Sequence, residues 1–144
     1  MTPDQLRAAM ELAAGPGRGT WLGVEGRSSR PLFRPGDEAL LVPITGRLRP
    51  LEIVAYEREG RLALHRVILV GGSGAILRGD GASSGEPVAF GRIVARAVGR
   101  RRAGRELTGG TLRWRLANAW SVTLSLLRWA AWKARSITRG RPAP

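Results

Sequence analysis

Two short stretches carry the residues able to do chemistry. One is Gly26-Arg27-Ser28-Ser29-Arg30-Pro31, which runs on through Leu32-Phe33-Arg34 into a Pro35-Gly36-Asp37 turn; the other is Leu64-His65-Arg66-Val67-Ile68. A serine hydroxyl is a poor nucleophile until a neighbouring base takes its proton. His65 is the only histidine, and the only lysine, Lys133, lies far along the chain in the C-terminal segment. That leaves His65 as the one imidazole or amine side chain in the body of the protein. An imidazole with an ordinary pKa of about 6.5 suits proton abstraction at neutral pH, and such a base contributes roughly 10²–10⁴-fold. It needs a partner on its other ring nitrogen, ordinarily a carboxylate. Asp80 and Glu86 are the carboxylates downstream of it in the body.

Composition narrows the alternatives. There is no cysteine, so disulfides, thiolate catalysis and cysteine-ligated metals are excluded, and a single histidine excludes a multi-histidine metal site. No cofactor or metal is implied. A length of 144 residues suits one domain able to bury most of its apolar surface, and 20 glycines with 9 prolines imply many turns rather than long helices. The N-terminal stretch is not a signal peptide, since Asp4, Arg7 and Glu11 interrupt any apolar run. The net charge of +13 divides unevenly: residues 1–98 carry +3 and residues 99–144 carry +10. The basic character therefore belongs to a tail. No nucleic-acid reading motif accompanies it, so no specific nucleic-acid partner is expected.

The elements that would position the serine and histidine follow from the pattern. Thr2-Pro3-Asp4-Gln5 has the N-cap, first-turn proline and capping-box partner of a helix start. Leu6, Met10 and Ala13, with Ala9 and Leu12 beside them, form one apolar stripe on a short helix that Gly15-Pro16-Gly17-Arg18-Gly19 ends. From there short strands and turns take over. Strands are expected over residues 20–24, 38–43, 52–56, 61–70, 75–78 and 91–98, with a hairpin turn at Glu59-Gly60 and a looser segment over 79–87. Strands at this spacing without intervening helices predict an antiparallel or mixed β domain.

Arg100-Arg101-Arg102-Ala103-Gly104-Arg105 reads as a charged linker, and residues 111–137 as a helix with four of the five tryptophans. Its uncharged run, residues 116–127, spans roughly 18 Å of helix against about 30 Å of hydrocarbon, too short to cross a bilayer. Arginines and tryptophans at both ends suit a helix lying at a membrane surface; docking on the β domain or on a partner is the alternative. The expected fold is thus mainly β, with a short N-terminal helix and a C-terminal amphipathic helix. Its segments are 1–19, a β domain over 20–99, and a basic, tryptophan-rich 100–144.

The order of the pieces adds a further indication. The Gly-x-Ser stretch, the Pro-Gly-Asp turn, Leu51-Glu52-Ile53-Val54-Ala55-Tyr56, Leu64-His65-Arg66-Val67-Ile68, Arg78-Gly79-Asp80 and Gly91-Arg92-Ile93-Val94 occur in succession. Over about residues 20–98 this resembles the superfamily of type I signal peptidases and LexA-like self-cleaving repressors, in its histidine-base branch. The resemblance implies a signal-peptidase-like β fold and a serine endopeptidase without the usual N-terminal membrane anchor. It implies Ser28 as nucleophile, favoured by the glycine spacing and Pro31 over the adjacent Ser29 hydroxyl, which is the alternative. It implies His65 as base, Asp80 and Glu86 as candidates for orienting it, and the Ser28 backbone N–H as an oxyanion donor.

The substrate so implied is an extended peptide or protein segment with small residues before the cut, such as a precursor or leader peptide. The enzyme would meet it in the cytoplasm or at the cytoplasmic face of a membrane. Ser29 stands where the family has methionine, Leu51-Glu52 where it has Gly-Asp, and Glu86 where it has aspartate. The change at Ser29 motivates the alternative of an inactive relative that binds a peptide or partner. Ala14-Gly15 also resembles the dipeptide at which the repressors cut themselves.

Overall fold

Thr2 and Gln5 close a reciprocal capping box: the Thr2 N–H donates to Gln5 Oε1 at 2.8 Å and the Gln5 N–H donates to Thr2 Oγ1 at 3.2 Å. Helix α1 (Pro3–Leu12) follows and buries Leu6 and Met10. The computed structural model describes residues 1–12 and 18–138, so Ala13 and the Ala14-Gly15 dipeptide lie outside the described residues.

The body is mainly β, an eight-stranded antiparallel sheet among the described residues. Its strands are β1 (Thr20–Gly23), β2 (Glu38–Pro43), β3 (Ile53–Arg58), β4 (Arg61–Val70), β5 (Gly74–Arg78), β6 (Glu86–Ala89), β7 (Ile93–Arg102) and β8 (Arg105–Thr108). The spatial order is β1-β2-β7-β3-β4-β5-β6, with β8 pairing β7. The β3–β4 hairpin turns at Glu59-Gly60, both at positive φ (53° and 74°), as a two-residue turn matched to strand twist requires.

The apolar side chains fall into two clusters on opposite faces of β3. Ile53 and Ala55 join Leu6, Phe33, Leu41, Leu64 and Trp114 in one; Val54 and Tyr56 join Val67, Leu77, Val88 and Ile93 in the other. Burial on both faces explains why β3 reads as an unbroken apolar run rather than an alternation.

Three expectations change. The 79–87 segment is not all loose: Glu86 begins β6, which pairs β5 in the register Leu77↔Glu86. The last long strand begins after a single 3₁₀ turn (Phe90–Arg92) and runs on to Arg102. Residues 100–105 are therefore the end of β7 and its turn into β8, not a linker, and a boundary at 99/100 would cut through a strand. The turn uses Ala103 and Gly104 at positive φ (48° and 74°). Its arginines find partners that hold them in the sheet: Arg101 pairs with Glu38 and Glu106, and Arg102 with Asp37.

Helix α2 (Leu112–Thr138) starts with Thr111, whose Oγ1 accepts from the Trp114 N–H at 3.2 Å. No helix among the described residues is long and apolar enough to cross a membrane.

Candidate active site

The loop between β1 and β2 carries Ser28 to the surface and turns Ser29, Leu32 and Phe33 inward. Its inner anchors are apolar, but its outer frame is ionic. Arg102 makes a two-pronged pair with buried Asp37, Nε to Oδ1 and Nη2 to Oδ2, both at 2.7 Å. The Arg34 N–H donates to Asp37 Oδ2 at 2.8 Å, and Arg100 Nη1 donates to the Leu32 carbonyl at 2.8 Å. Burial pushes the Asp37 carboxyl up, but Arg102, the Arg34 N–H and Arg100 outweigh it and hold the group below its ordinary value. The end of β7 thus clamps the serine loop.

His65 sits on β4 opposite Val54, and Tyr56 lies two residues along β3 on the same face. Diagonal neighbours of this kind are within reach of aromatic side chains. The rings lie 5.2 Å apart between centroids, and Tyr56 Oη is 2.9 Å from His65 Nδ1. The Tyr56 hydroxyl donates to Glu86 Oε1, and that oxygen is itself 3.7 Å from His65 Nδ1. On its other side, His65 Nε2 is 3.2 Å from Ser28 Oγ.

The protons on this chain can be assigned by elimination. A phenol has one proton, and a carboxylate can only accept, so the Tyr56 proton goes to Glu86. Burial and the Glu86 carboxylate raise the Tyr56 pKa far above neutral, so the phenol keeps that proton. Its oxygen is then the acceptor for His65 Nδ1–H, and Nε2 presents its lone pair to Ser28. Burial lowers the His65 pKa; Glu86 opposes this, Arg58 adds to it and Asp80 opposes it, leaving a net depression. The imidazole is therefore neutral at neutral pH, the form a general base requires.

No family model matches the chain, and no curated protein matches it.

Of the residues expected from sequence, Ser28, His65 and Glu86 come together, with Glu86 acting through Tyr56. Asp80 does not orient His65. Its carboxylate is taken by Arg66, with Nε to Oδ1 at 2.7 Å and Nη2 to Oδ2 at 2.6 Å, and by the Ser121 hydroxyl, which donates to Oδ2. The physical reason is strand alternation: His65 and Arg66 are consecutive on β4 and project to opposite faces, and Asp80 pairs on the Arg66 side. The Gly79-Asp80 pair divides its work. A Cβ on Gly79 would lie 2.7 Å from the Ser28 carbonyl oxygen and 3.2 Å from His65 Nε2, so only glycine lets the serine loop approach; the Gly81 N–H then donates to the Ser28 carbonyl at 2.9 Å.

The two serines are also distinguished. Ser29 is buried and donates its hydroxyl to the Leu64 carbonyl, whereas exposed Ser28 faces the imidazole. A polar residue is tolerated in this apolar position because β4 supplies it with an acceptor.

Tyr56 is the residue that sequence reasoning passed over. A signal existed: it is the only tyrosine, and a two-residue turn at Glu59-Gly60 fixes the hairpin register that sets it diagonal to His65.

Beside Ser28 runs a cleft of about 740 Å³ lined by Leu22, Val24, Gly26, Ser28, Leu62 and Leu64 among others. Among the described residues its walls lack a second strand partner: β1 pairs with β2 alone, and residues 61–64 of β4 pair with β3 alone, since β5 joins β4 only from Arg66 onward, although the Leu64 carbonyl is taken by Ser29. A second cleft, of about 690 Å³ between Ile44, Leu48, Val70 and Phe90, has neither a nucleophile nor a base in its lining.

Proposed function

We propose that this chain is a serine endopeptidase of signal-peptidase-like type. The observation that carries the reading is the 3.2 Å approach of Ser28 Oγ to a His65 Nε2 whose tautomer is set from behind by Tyr56 and Glu86. Ser28 Oγ attacks the scissile carbonyl carbon while its proton passes to Nε2. The imidazolium is held through Nδ1–H on Tyr56 Oη, with the Glu86 charge behind it. The Ser28 backbone N–H is the oxyanion donor in this scheme. Collapse of the tetrahedral intermediate breaks the C–N bond as Nε2–H protonates the leaving amine. Water activated by the regenerated His65 then cleaves the acyl-enzyme ester on Ser28.

The cleft supports an extended peptide as substrate, since a strand laid between two free backbone edges gains ladder hydrogen bonds on both sides. The reading places the enzyme in the cytoplasm or at the cytoplasmic face of a membrane, acting on a precursor or leader peptide.

A fluorophosphonate probe and a peptide library test it. Ser28→Ala abolishes labelling and cleavage, His65→Ala lowers both by about 10²–10⁴-fold, and Ser29→Ala still labels. Cleavage that survives Ser28→Ala sinks the proposal. Peptide binding without turnover in the unaltered protein would instead favour a binding module.

A further inference from the structure

Helix α2 is amphipathic in the inverted sense. Its docked face is marked by Trp114, Asn118, Ser121 and Ser125, spaced every three or four residues, and apart from Trp114 this stripe is polar. Arg66 Nη1 donates to Asn118 Oδ1 at 2.7 Å, Ser121 meets the Arg66–Asp80 pair, and Arg78 Nη2 donates to Ser125 Oγ at 2.7 Å. The opposite face turns Leu112, Leu116, Ala119, Thr123 and Leu127 to solvent. Leu112 is 69%, Trp120 63% and Leu127 61% exposed. Residues 126–135 are exposed throughout, so over about 15 Å the helix runs on past the body.

We infer that this outward face seats on an anionic lipid bilayer, with the helix lying in the interface plane. Charge selects that occupant. Arg113, Arg115 and Lys133 flank the apolar face, and no acidic residue follows Glu106. A second copy on the same face would set one basic helix against another, whereas anionic headgroups complement it. Tryptophans at headgroup depth beside basic residues are the composition of an interfacial helix. Trp120 stands on this face and is exposed. Each basic residue near an anionic surface strengthens binding about five-fold.

Flotation of the full chain with phosphatidylcholine vesicles, with and without phosphatidylglycerol, tests the inference. The protein is expected to float with the anionic vesicles at low salt, to be released at high salt, and to stay behind with the neutral ones. The triple variant Leu116→Glu/Trp120→Glu/Leu127→Glu changes only solvent-facing side chains and is expected to lose binding by roughly 100-fold or more, with an unchanged circular dichroism spectrum. Arg113→Gln/Arg115→Gln/Lys133→Gln is expected to lose roughly 100-fold on anionic vesicles while keeping the fold. No flotation of the unaltered chain overturns the inference, as does a triple glutamate variant that floats equally well. A dimer in sedimentation that the triple variant abolishes, without vesicle binding, overturns it in favour of a second copy.

Discussion

Ser28 lies open at the surface while the His65 ring beside it is nearly closed off from water, and under the proposed mechanism the difference sets the pH dependence. Burial depresses the His65 pKa below its ordinary 6.5. The folded state therefore holds the neutral ring, and the stability this contributes is present above about pH 6.5 and lost as the pH falls through the folded pKa. By the same sign, kcat/KM should be flat through neutrality with its acid limb centred below pH 6.5. Tyr56→Phe removes the acceptor from Nδ1–H and the bridge to Glu86. It should lower kcat by roughly 10–100-fold with little change in KM. It should also move the acid limb to lower pH, because the imidazolium loses a stronger hydrogen bond than the neutral ring does. A pH–rate profile of the variant checks this, and an unmoved limb would reduce Tyr56 to a packing residue.

At the scale of elements, the β3–β4 hairpin was open to reading and the strands around it only in part. Glu59-Gly60 dictates the pairing Val54↔His65, and from it the placement of Tyr56 follows. β6 was hidden because Glu86-Pro87-Val88-Ala89 is short and carries no apolar alternation; it is held by backbone pairing at the sheet's end. β8 and the end of β7 were hidden for a different reason. Six residues with four arginines look solvated, yet the guanidinium groups of Arg100, Arg101 and Arg102 are spent on the Leu32 carbonyl, Glu38, Glu106 and Asp37. The Arg102–Asp37 pair makes that role testable. Arg102→Met leaves Asp37 buried without its cation and should cost about 1–3 kcal/mol, given that Arg102 is partly exposed. Arg102→Met/Asp37→Leu should recover part of that loss. Because the folded Asp37 pKa is depressed, the stability from this pair is present above about pH 4 and lost as the pH falls through the folded pKa. Urea unfolding of the two variants at neutral pH and in acid measures both effects.

Across the whole molecule, α2 decides how the charge and the apolar surface are distributed, and it does so by facing the wrong way for an ordinary surface helix. Its stripe of Asn118, Ser121 and Ser125 gave no indication in sequence of being the docked side, because its partners, Arg66, Arg78 and Asp80, lie some 40–55 positions upstream. Two tryptophans of the one helix should therefore behave oppositely. Trp114 is buried against Phe33 of the serine loop, with ring centroids 6.2 Å apart and edge-on at 64°, so it ties the helix to the loop that presents Ser28. Trp114→Ala should cost about 3–5 kcal/mol of stability, the usual range for a buried aromatic, and slow fluorophosphonate labelling of Ser28 as its loop loosens. Trp120 points outward, and Trp120→Ala should change stability by no more than about 0.5 kcal/mol while weakening attachment to anionic vesicles. Thermal unfolding beside labelling and flotation separates the two. Equal destabilisation by both substitutions would mean that the helix is buried on both faces, and the inverted arrangement would fall.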